Sequence, residues 1–575
     1  MKALPRIVLV ALLAALPLAA AAQEEATEST AGSIEIGASY VDVNESPDKA
    51  AEFLSTDKGP VATIDLSTFG DWGSLQFDFE YLADNEMSGN LDFDASRMVR
   101  SHNSYTMFEH RFGHDPMENL EATSTNGKVV RHTDFSPNAE YGIDYSVFHD
   151  RTEFQLPGLN ALTLAVEYRN QQRSGHMQAY TTSHCDTCHI KSQAHKVDET
   201  TEDAKLEAKV AWNRGEIRGS MTSRQLRQGT NSVIVTFDDA LHPEQQLPLF
   251  DNRLQYDSDV GPVPADLWPD IDKDIGRLDF RWGTDNGFAI TANGVWSETE
   301  NRYTGYKADY TGYVVNLAKR FTNSLRLRWR GRVYSIDNDE VFIDTIERVG
   351  VAGPHAGLTY EQIYGRNFDH IRYSALDRDA VESKLDVSYR LGRKGGTIRG
   401  LWDFESIDRE YYEVLPGEKE TTTNILGVSY RVRPMKGLRL DAAYRHAEID
   451  NAFTLINGAC STLESPAYPN PWDPETPQYE DFQNARVAET TASPSSWDKI
   501  ELGAAWVGGS STLSARYLWW DGSNSDGDLT DWSKTNQSAT ITFWTPGGAT
   551  WDWYLGYAWQ DSSLDAPACI PVFDG

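Results

Sequence analysis

Residues 325–333 read Leu-Arg-Leu-Arg-Trp-Arg-Gly-Arg-Val, so that every second residue is an arginine. The positions between the arginines are apolar, apart from Gly331. Successive side chains of a β-strand point to opposite faces, so this stretch predicts a strand with one cationic face and one apolar face. Such a strand fits a boundary where its two faces meet different surroundings.

The same alternation recurs along the chain. Comparable segments lie at residues 74–82, 161–169, 204–212, 275–282, 383–391, 397–405, 437–446, 498–507, 536–544 and 549–559. Strands of soluble β-sandwiches are usually shorter, about five to six residues, whereas a tilted strand needs roughly 9–11 residues to cross a bilayer. Several segments also end in Trp or Tyr, as membrane strands do. We therefore predict an all-β fold, a transmembrane antiparallel outer-membrane β-barrel of about 20 strands or more, over a soluble sandwich.

The connections between these segments alternate in length. Tight turns are predicted at residues 70–73, 213–215, 283–287, 322–323, 392–396, 434–437, 508–510 and 546–548. Long polar loops are predicted at residues 170–202, 228–274, 297–309, 335–381, 406–420, 447–497 and 520–535. Outer-membrane barrels have tight turns on one rim and long loops on the other. Residues 84–138 fit either a loop or an extra strand pair, and a final returning strand is expected within residues 560–575.

Composition excludes several classes of protein. The chain has 575 residues, with 52 Lys and Arg against 86 Asp and Glu, a net charge of −34 that disfavours nucleic-acid binding. A mean hydropathy of −0.52 argues against a helical membrane protein. The 17 Trp, 26 Tyr and 22 Phe are too many for a disordered chain.

The N-terminus carries an export signal. Lys2 and Arg6 flank the start of an apolar segment that ends in four alanines at residues 19–22. This layout predicts a signal peptide over residues 1–22, in preference to a retained anchor, followed by a single barrel over residues 23–575. The predicted location is the cell outer membrane, with its lipid as a contact.

One motif carries cofactor chemistry. Cys185-Asp186-Thr187-Cys188-His189 is a CxxCH sequence within the predicted 170–202 loop. In an exported protein this spacing predicts attachment of haem c, with a thioether from each cysteine and His189 as proximal ligand of the haem iron. His195 and His176 are the candidates for the second axial ligand.

Other interpretations of the cysteines and acidic segments stay open. The CxxCH segment also fits a Cys185–Cys188 disulfide, a bound metal, or a loop without cofactor. A second disulfide is predicted between Cys460 and Cys569. Calcium is a weaker expectation, because residues 270–274 and 521–528 only approach the EF-hand pattern and better fit solvated acidic loops.

The segment Thr181-Thr182-Ser183-His184-Cys185-Asp186-Thr187-Cys188-His189-Ile190, in an exported barrel of this size, resembles the MtrB/PioB family of outer-membrane porins. The resemblance implies a sheath that holds a multihaem c-type cytochrome and supports electron transfer across the outer membrane. The implied partners are a periplasmic multihaem cytochrome and, as a second candidate, a cytochrome on the outer surface.

The alternative function is a solute-selective porin with no redox role. Its candidate lumen-facing residues are Arg326, Arg328, Arg330 and Arg332, which could select anions unless acidic neighbours balance them. No nucleophile elbow, phosphate-binding loop or zinc-protease motif occurs in the sequence, so no enzymatic activity is predicted.

Overall fold

A computed structural model describes the chain over residues 29–40, 42, 59–83, 86–117, 122–123, 129–183, 189–235, 263–343, 357–358, 362, 370–372, 374, 376–392, 395–409, 420–452, 454–456, 489–491, 493–525, 532–548 and 551–566. The predicted signal peptide lies outside these residues. Within them, no helix has both the length and the apolar character needed to span a bilayer.

The described residues are organised as β-strands. In chain order these are β1 (Ser29–Ser39), β2 (Gly59–Gly70), β3 (Gly73–Ala83), β4 (Glu86–Ala95), β5 (Val99–Phe112), β6 (Ala122–Thr123), β7 (Val129–Asp134), β8 (Tyr141–Gln155), β9 (Leu162–Ser183), β10 (His189–Trp212), β11 (Gly215–Gln228), β12 (Ile234–Val235), β13 (Val263–Pro264), β14 (Ile271–Gly283), β15 (Phe288–Asn301), β16 (Lys307–Arg320), β17 (Leu325–Asn338), β18 (Val341–Ile343), β19 (His370–Arg372), β20 (Arg378–Arg390), β21 (Thr397–Arg409), β22 (Glu420–Met435), β23 (Leu438–Asp450), β24 (Thr454–Ile456), β25 (Glu489–Thr491), β26 (Ser496–Gly508), β27 (Ser511–Asn524), β28 (Trp532–Pro546) and β29 (Asp552–Asp565).

Hydrogen bonding joins 23 of these strands into one sheet, and three two-stranded ribbons, β12–β13, β18–β19 and β24–β25, lie within connecting segments. The prediction of an all-β fold with about 20 strands or more is confirmed. By internal contacts the chain divides into two compact units.

The first unit comprises Met1–His114, Glu140–Met177 and Lys196–Leu206. Here β1 to β5 pair antiparallel in chain order, and β5 then pairs with β8 and β8 with β9. Strands β4 and β5 are the extra strand pair that the sequence left as one of two interpretations of residues 84–138.

The second unit comprises Asp115–Ala139, Gln178–His195 and Glu207–Gly575. Its long strands β11, β14 to β17, β20 to β23 and β26 to β29 form an antiparallel meander, in which each pairs with the next of these strands along the chain. The turns predicted at residues 283–287, 322–323, 434–437, 508–510 and 546–548 are confirmed, whereas the turn predicted at residues 392–396 lies partly outside the described residues. In the turn after β22, Gly437 has φ of +85°, and a Cβ there would stand 2.0 Å from the Val507 carbonyl oxygen.

The two faces of the meander differ as the sequence predicts. One face carries large apolar side chains that remain exposed, among them Leu426 at 60% and Leu502 at 48%. Water would penalise such a surface, whereas lipid would not. On this face the Trp329 indole N–H donates to Ser383 Oγ over 3.0 Å, so the ring keeps its hydrogen bond without water.

Two predicted loops are wrong. Residues 170–202 are not a long loop, because β9 runs to Ser183 and β10 starts at His189. The loop predicted at residues 297–309 is also shorter than expected, because only five residues separate β15 from β16. In both places the strands continue with polar residues on both faces, so the apolar alternation stops while the backbone pairing does not.

The calcium and C-terminal expectations have different outcomes. Asp272 and Asp274 lie within β14, so residues 270–274 are not an EF-hand loop. Residues 521–524 of the second acidic segment belong to β27, and residues 526–528 lie outside the described part. Strand β29 extends to Asp565 and pairs with β28, while the returning strand expected in residues 560–575 would lie mostly outside the described part.

Candidate functional site

The CxxCH motif lies at the junction of the two longest strands. Strand β9 has 22 residues and β10 has 24, and residues 184–188, including Cys185 and Cys188, are outside the described part. About 9–11 residues suffice to cross a bilayer, so each strand extends past the hydrocarbon by roughly ten residues. The motif thus falls in the connection between the paired strands β9 and β10, a long hairpin that is called the stem below.

The stem emerges on the side of the long connections. The other end of β10 enters the tight turn Asn213–Arg214 before β11. In outer-membrane barrels the tight turns are periplasmic and the longer connections extracellular.

A buried polar layer fastens the stem just below the motif. Ser192 is fully buried, and its hydroxyl donates to Asp134 Oδ1 over 2.9 Å. The Gln178 side-chain amide donates to Ser192 Oγ over 3.0 Å and to the Asp115 carbonyl over 2.8 Å. Because buried polar groups are costly to leave unpaired, this satisfied layer holds β9, β10 and β7 in one arrangement.

Gln178 is held from a further side by Tyr180, whose hydroxyl donates to Gln178 Oε1 over 3.0 Å. Desolvation raises the pKa of the Tyr180 phenol, and the carboxylates of Asp115 and Asp134 raise it further. The phenol therefore stays protonated and able to donate over the physiological pH range.

Strand β7 adds a second fastening through the backbone. It pairs parallel with the start of β10, with His189 opposite Arg131 and Ile190 opposite His132. Beyond β7, the Phe135 N–H donates to the Ser192 carbonyl over 2.8 Å. The segment that precedes β8 therefore lies alongside the first residues after the motif.

His195 is already engaged in the protein. Its ring is 5% exposed, Nε2 lies 2.6 Å from the Asn231 carbonyl oxygen, and the ring centroid is 5.7 Å from that of Trp268. Six residues of extended strand, roughly 20 Å, separate it from His189. With β10 intact, these two histidines cannot bind one iron.

His176 lies in β9, where it pairs with Gly142 and is exposed. Seven residues of strand separate it from Ser183, the last residue of β9. Its exposure leaves it accessible to solvent, but its position is well down the stem from the motif.

His132 is a histidine that the sequence reasoning missed. Both of its ring nitrogens are buried and have no hydrogen-bond partner among the residues that the structure describes. No periodic pattern singles out residues 129–134 in the sequence, so only the strand register shows that His132 lies opposite Ile190.

Only some of the arginines on the polar face of β17 have an acidic partner. Arg332 Nη1 is 2.7 Å from Glu382 Oε1, and its guanidinium carbon stands 4.3 Å from the centroid of the Tyr334 ring. Arg328 is in register with Asp386, but Asp386 is paired with Arg399. The expectation of acidic neighbours therefore holds at Arg332.

Arg326, Arg328 and Arg330 form no ion pair with another described residue. Arg330 lines a cavity of about 300 Å³ on the same face, together with the Lys384–Asp403 pair and Glu405. This part of the polar face combines free cationic groups with acidic ones, which suits a charged ligand or protein surface.

Two remaining expectations concern metals and the second disulfide. Within the described ranges, no group of three or more His, Cys, Asp or Glu is arranged to hold a metal ion. Cys460 and Cys569 both lie outside the described residues, and their pairing stays a prediction.

The chain is similar to several solved outer-membrane proteins. The ferric citrate transporter FecA matches over 94% of this chain and 75% of its own, with 11% identity and a TM-score of 0.34. The siderophore receptor PiuA from Acinetobacter baumannii matches over 86% and 72%, with 10% identity and a TM-score of 0.40. The alcaligin receptor FauA from Bordetella pertussis matches over 88% and 70%, with 9% identity and a TM-score of 0.38.

No curated protein matches the sequence. Residues 276–451 match the family described as "Putative outer membrane beta-barrel porin, MtrB/PioB". This segment runs from β14 to just beyond β23 and includes the arginine face of β17. Over residues 276–451 the chain is thus a match to the MtrB/PioB family of outer-membrane β-barrel porins, which confirms the resemblance seen in its sequence and its location in the outer membrane.

Proposed function

We propose that this barrel is the sheath of an outer-membrane electron conduit, which holds a multihaem c-type cytochrome and supports electron transfer across the outer membrane. The observation that carries the proposal is a CxxCH motif at the end of a fastened stem, in a chain that matches the MtrB/PioB family. A plain diffusion pore has no need of such a motif.

The motif is proposed to hold a covalent haem c through Cys185 and Cys188, with His189 as proximal ligand. When bound, that group supplies a one-electron carrier. The protein's part is to fix the position of the carrier through the Ser192–Asp134–Gln178 layer, on the side of the long connections.

The thickness of the membrane means that electron transfer across it requires a partner protein. The hydrocarbon core is about 30 Å thick, so one haem on a stem that projects from it cannot carry an electron through the membrane alone. A periplasmic multihaem cytochrome would supply the remaining carriers. The polar face of the meander carries Arg328 and Arg330, which form no ion pair with another described residue, and it offers these charged groups to such a partner.

The second candidate function is a solute-selective porin. It is favoured by the same two arginines, because a basic lining selects anions. Under this alternative the CxxCH cysteines would form a disulfide and the chain would need no partner.

Mass spectrometry of the peptide spanning residues 174–196 separates the two assignments of the motif. An increase of one haem mass supports haem attachment, whereas a loss of two hydrogens indicates the Cys185–Cys188 disulfide. In the second case the conduit would depend wholly on a partner cytochrome, which a haem stain of the purified complex would detect.

A further inference from the structure

We propose that the apolar face of β20 to β23 carries a binding site for one phospholipid with a primary-amine headgroup, of the phosphatidylethanolamine class. An acyl chain of this lipid lies in a groove of the face, and its ammonium group lies at the acidic end of that groove. The site needs neither a haem nor a partner cytochrome, so it goes beyond the proposed conduit.

The groove has the size and the lining of a ligand site. Its volume is about 680 Å³, and small-molecule sites are mostly apolar hollows of about 300–1,000 Å³ with a few polar groups. Gly400 lines it, and a Cβ at this position would meet nothing within 4 Å, so the missing side chain leaves the space open. The apolar walls are formed by Leu385, Val387, Trp402, Leu426 and Val428.

Strand register shows that the groove lies on the lipid-facing side of the sheet. Trp329 pairs with Leu385, and Leu385 pairs with Trp402. Trp402 in turn pairs with Leu426. Paired residues of neighbouring strands share a face, so the groove lies on the same apolar face as Trp329. Membrane lipid is therefore the molecule that this face meets.

The same line of paired residues ends in two ionisable side chains. Leu426 pairs with His446, His446 pairs with Asp498, and both ionisable residues line the groove. The Tyr444 hydroxyl donates to Asp498 Oδ1 over 2.6 Å, and His446 Nδ1 lies 2.9 Å from the same oxygen. The side chains of His446 and Asp498 are still 38% and 39% exposed. Internal hydrogen bonds thus fix a polar group that remains accessible from the groove.

The charges at this end of the groove select the headgroup. Glu448 Oε1 lies 3.6 Å from His446 Nε2, and Asp521 is in register with Asp498 on the next strand. Three carboxylates therefore stand around one imidazole, and negative charge remains even when that imidazole is protonated. Complementary charge favours an ammonium group here and disfavours an anionic headgroup such as that of phosphatidylglycerol.

The test is native mass spectrometry of the full chain in detergent, with phosphatidylethanolamine, phosphatidylglycerol or phosphatidylcholine added one at a time. The wild type is expected to retain one phosphatidylethanolamine at concentrations where the other two lipids give little adduct. Asp498→Asn should lower this retention by about 10-fold or more, because it removes the carboxylate charge that the ammonium group meets. Gly400→Leu should also lower it, because the added side chain fills the groove and leaves the acidic end unchanged.

Gly219→Leu is the matched control. Gly219 pairs with Leu278 on the same apolar face as Trp329, outside the groove, and a Cβ there would lie 4.0 Å from Leu278 Cδ1. This variant should retain the lipid as the wild type does. Equal retention of the three lipids by the wild type overturns the proposal, as does equal retention of phosphatidylethanolamine by the Gly400→Leu and Gly219→Leu variants. Heat-modifiable migration on gels verifies that each variant forms the barrel.

Discussion

The Ser192 hydroxyl donates to Asp134 Oδ1 over 2.9 Å, from a residue with no solvent exposure. Ser192 is three residues into β10, and Asp134 is the last residue of β7. One hydrogen bond therefore fastens the end of the long hairpin stem to a segment more than fifty residues earlier in the chain.

Removing this fastening should loosen the stem without unfolding the barrel. Ser192→Ala leaves Gln178 and Asp134 each short of one buried partner, at a cost of about 1–3 kcal/mol. Hydrogen exchange of peptides covering residues 189–195 should speed up by roughly 10-fold or more. Lys196→Ala is the control, because it removes an exposed pair with Asp198 that contributes about 0–1 kcal/mol. Equal exchange in both variants would show that the layer does not fasten the stem.

The assignment of faces predicts opposite responses to the same substitution. Leu385 lies opposite Trp329 on the apolar face, and Leu385→Arg should destabilise the barrel by about 2–4 kcal/mol in lipid. Thr423→Arg on the polar face, opposite Glu405, should cost little because it gains an acidic neighbour. Equilibrium unfolding in vesicles measures both. The face assignment fails if Thr423→Arg is the more damaging of the two.

The arginines of β17 should separate into structural and binding roles. Arg332→Ala removes the Glu382 pair and the contact with the Tyr334 ring, so it should lower the unfolding midpoint. The double variant with Arg328→Ala and Arg330→Ala removes no ion pair formed with a described residue, and stability should be unchanged.

The same double variant tests the partner. Under the conduit proposal, haem-containing polypeptides should be released at lower salt concentration, because charge contacts are screened. Unchanged retention, combined with a loss of anion preference in conductance, would favour the solute-selective porin instead.

The sequence predicts the membrane-facing part of this fold well because lipid and water impose the alternation directly. In β17 the alternation alone assigns Leu327 and Trp329 to one face and the arginines at 328 and 330 to the other. The structure confirms this assignment. The stem of β9 and β10 could not be predicted, because beyond the bilayer both faces meet water and polar residues such as Thr200 and Thr201 replace the apolar ones.

The candidate site was predictable only as a motif. Its five residues are contiguous, so spacing alone points to Cys185, Cys188 and His189. The neighbours of the following strand could not be predicted, because His132 and Asp134 lie opposite Ile190 and Ser192 through a parallel pairing over more than fifty residues of chain. Long-range pairings of this kind leave no periodic trace in the sequence.

Electron transfer across a sealed membrane distinguishes a conduit from a solute pore. Vesicles containing the barrel with its co-purified haem polypeptides would enclose a redox dye, with an external donor too large to pass a pore, such as a reduced flavin coupled to dextran. If the barrel is a conduit, the enclosed dye is reduced, whereas vesicles with barrel freed of haem polypeptides leave the dye oxidised. A dye that stays oxidised while an enclosed small solute escapes would contradict the conduit and leave the solute-selective porin.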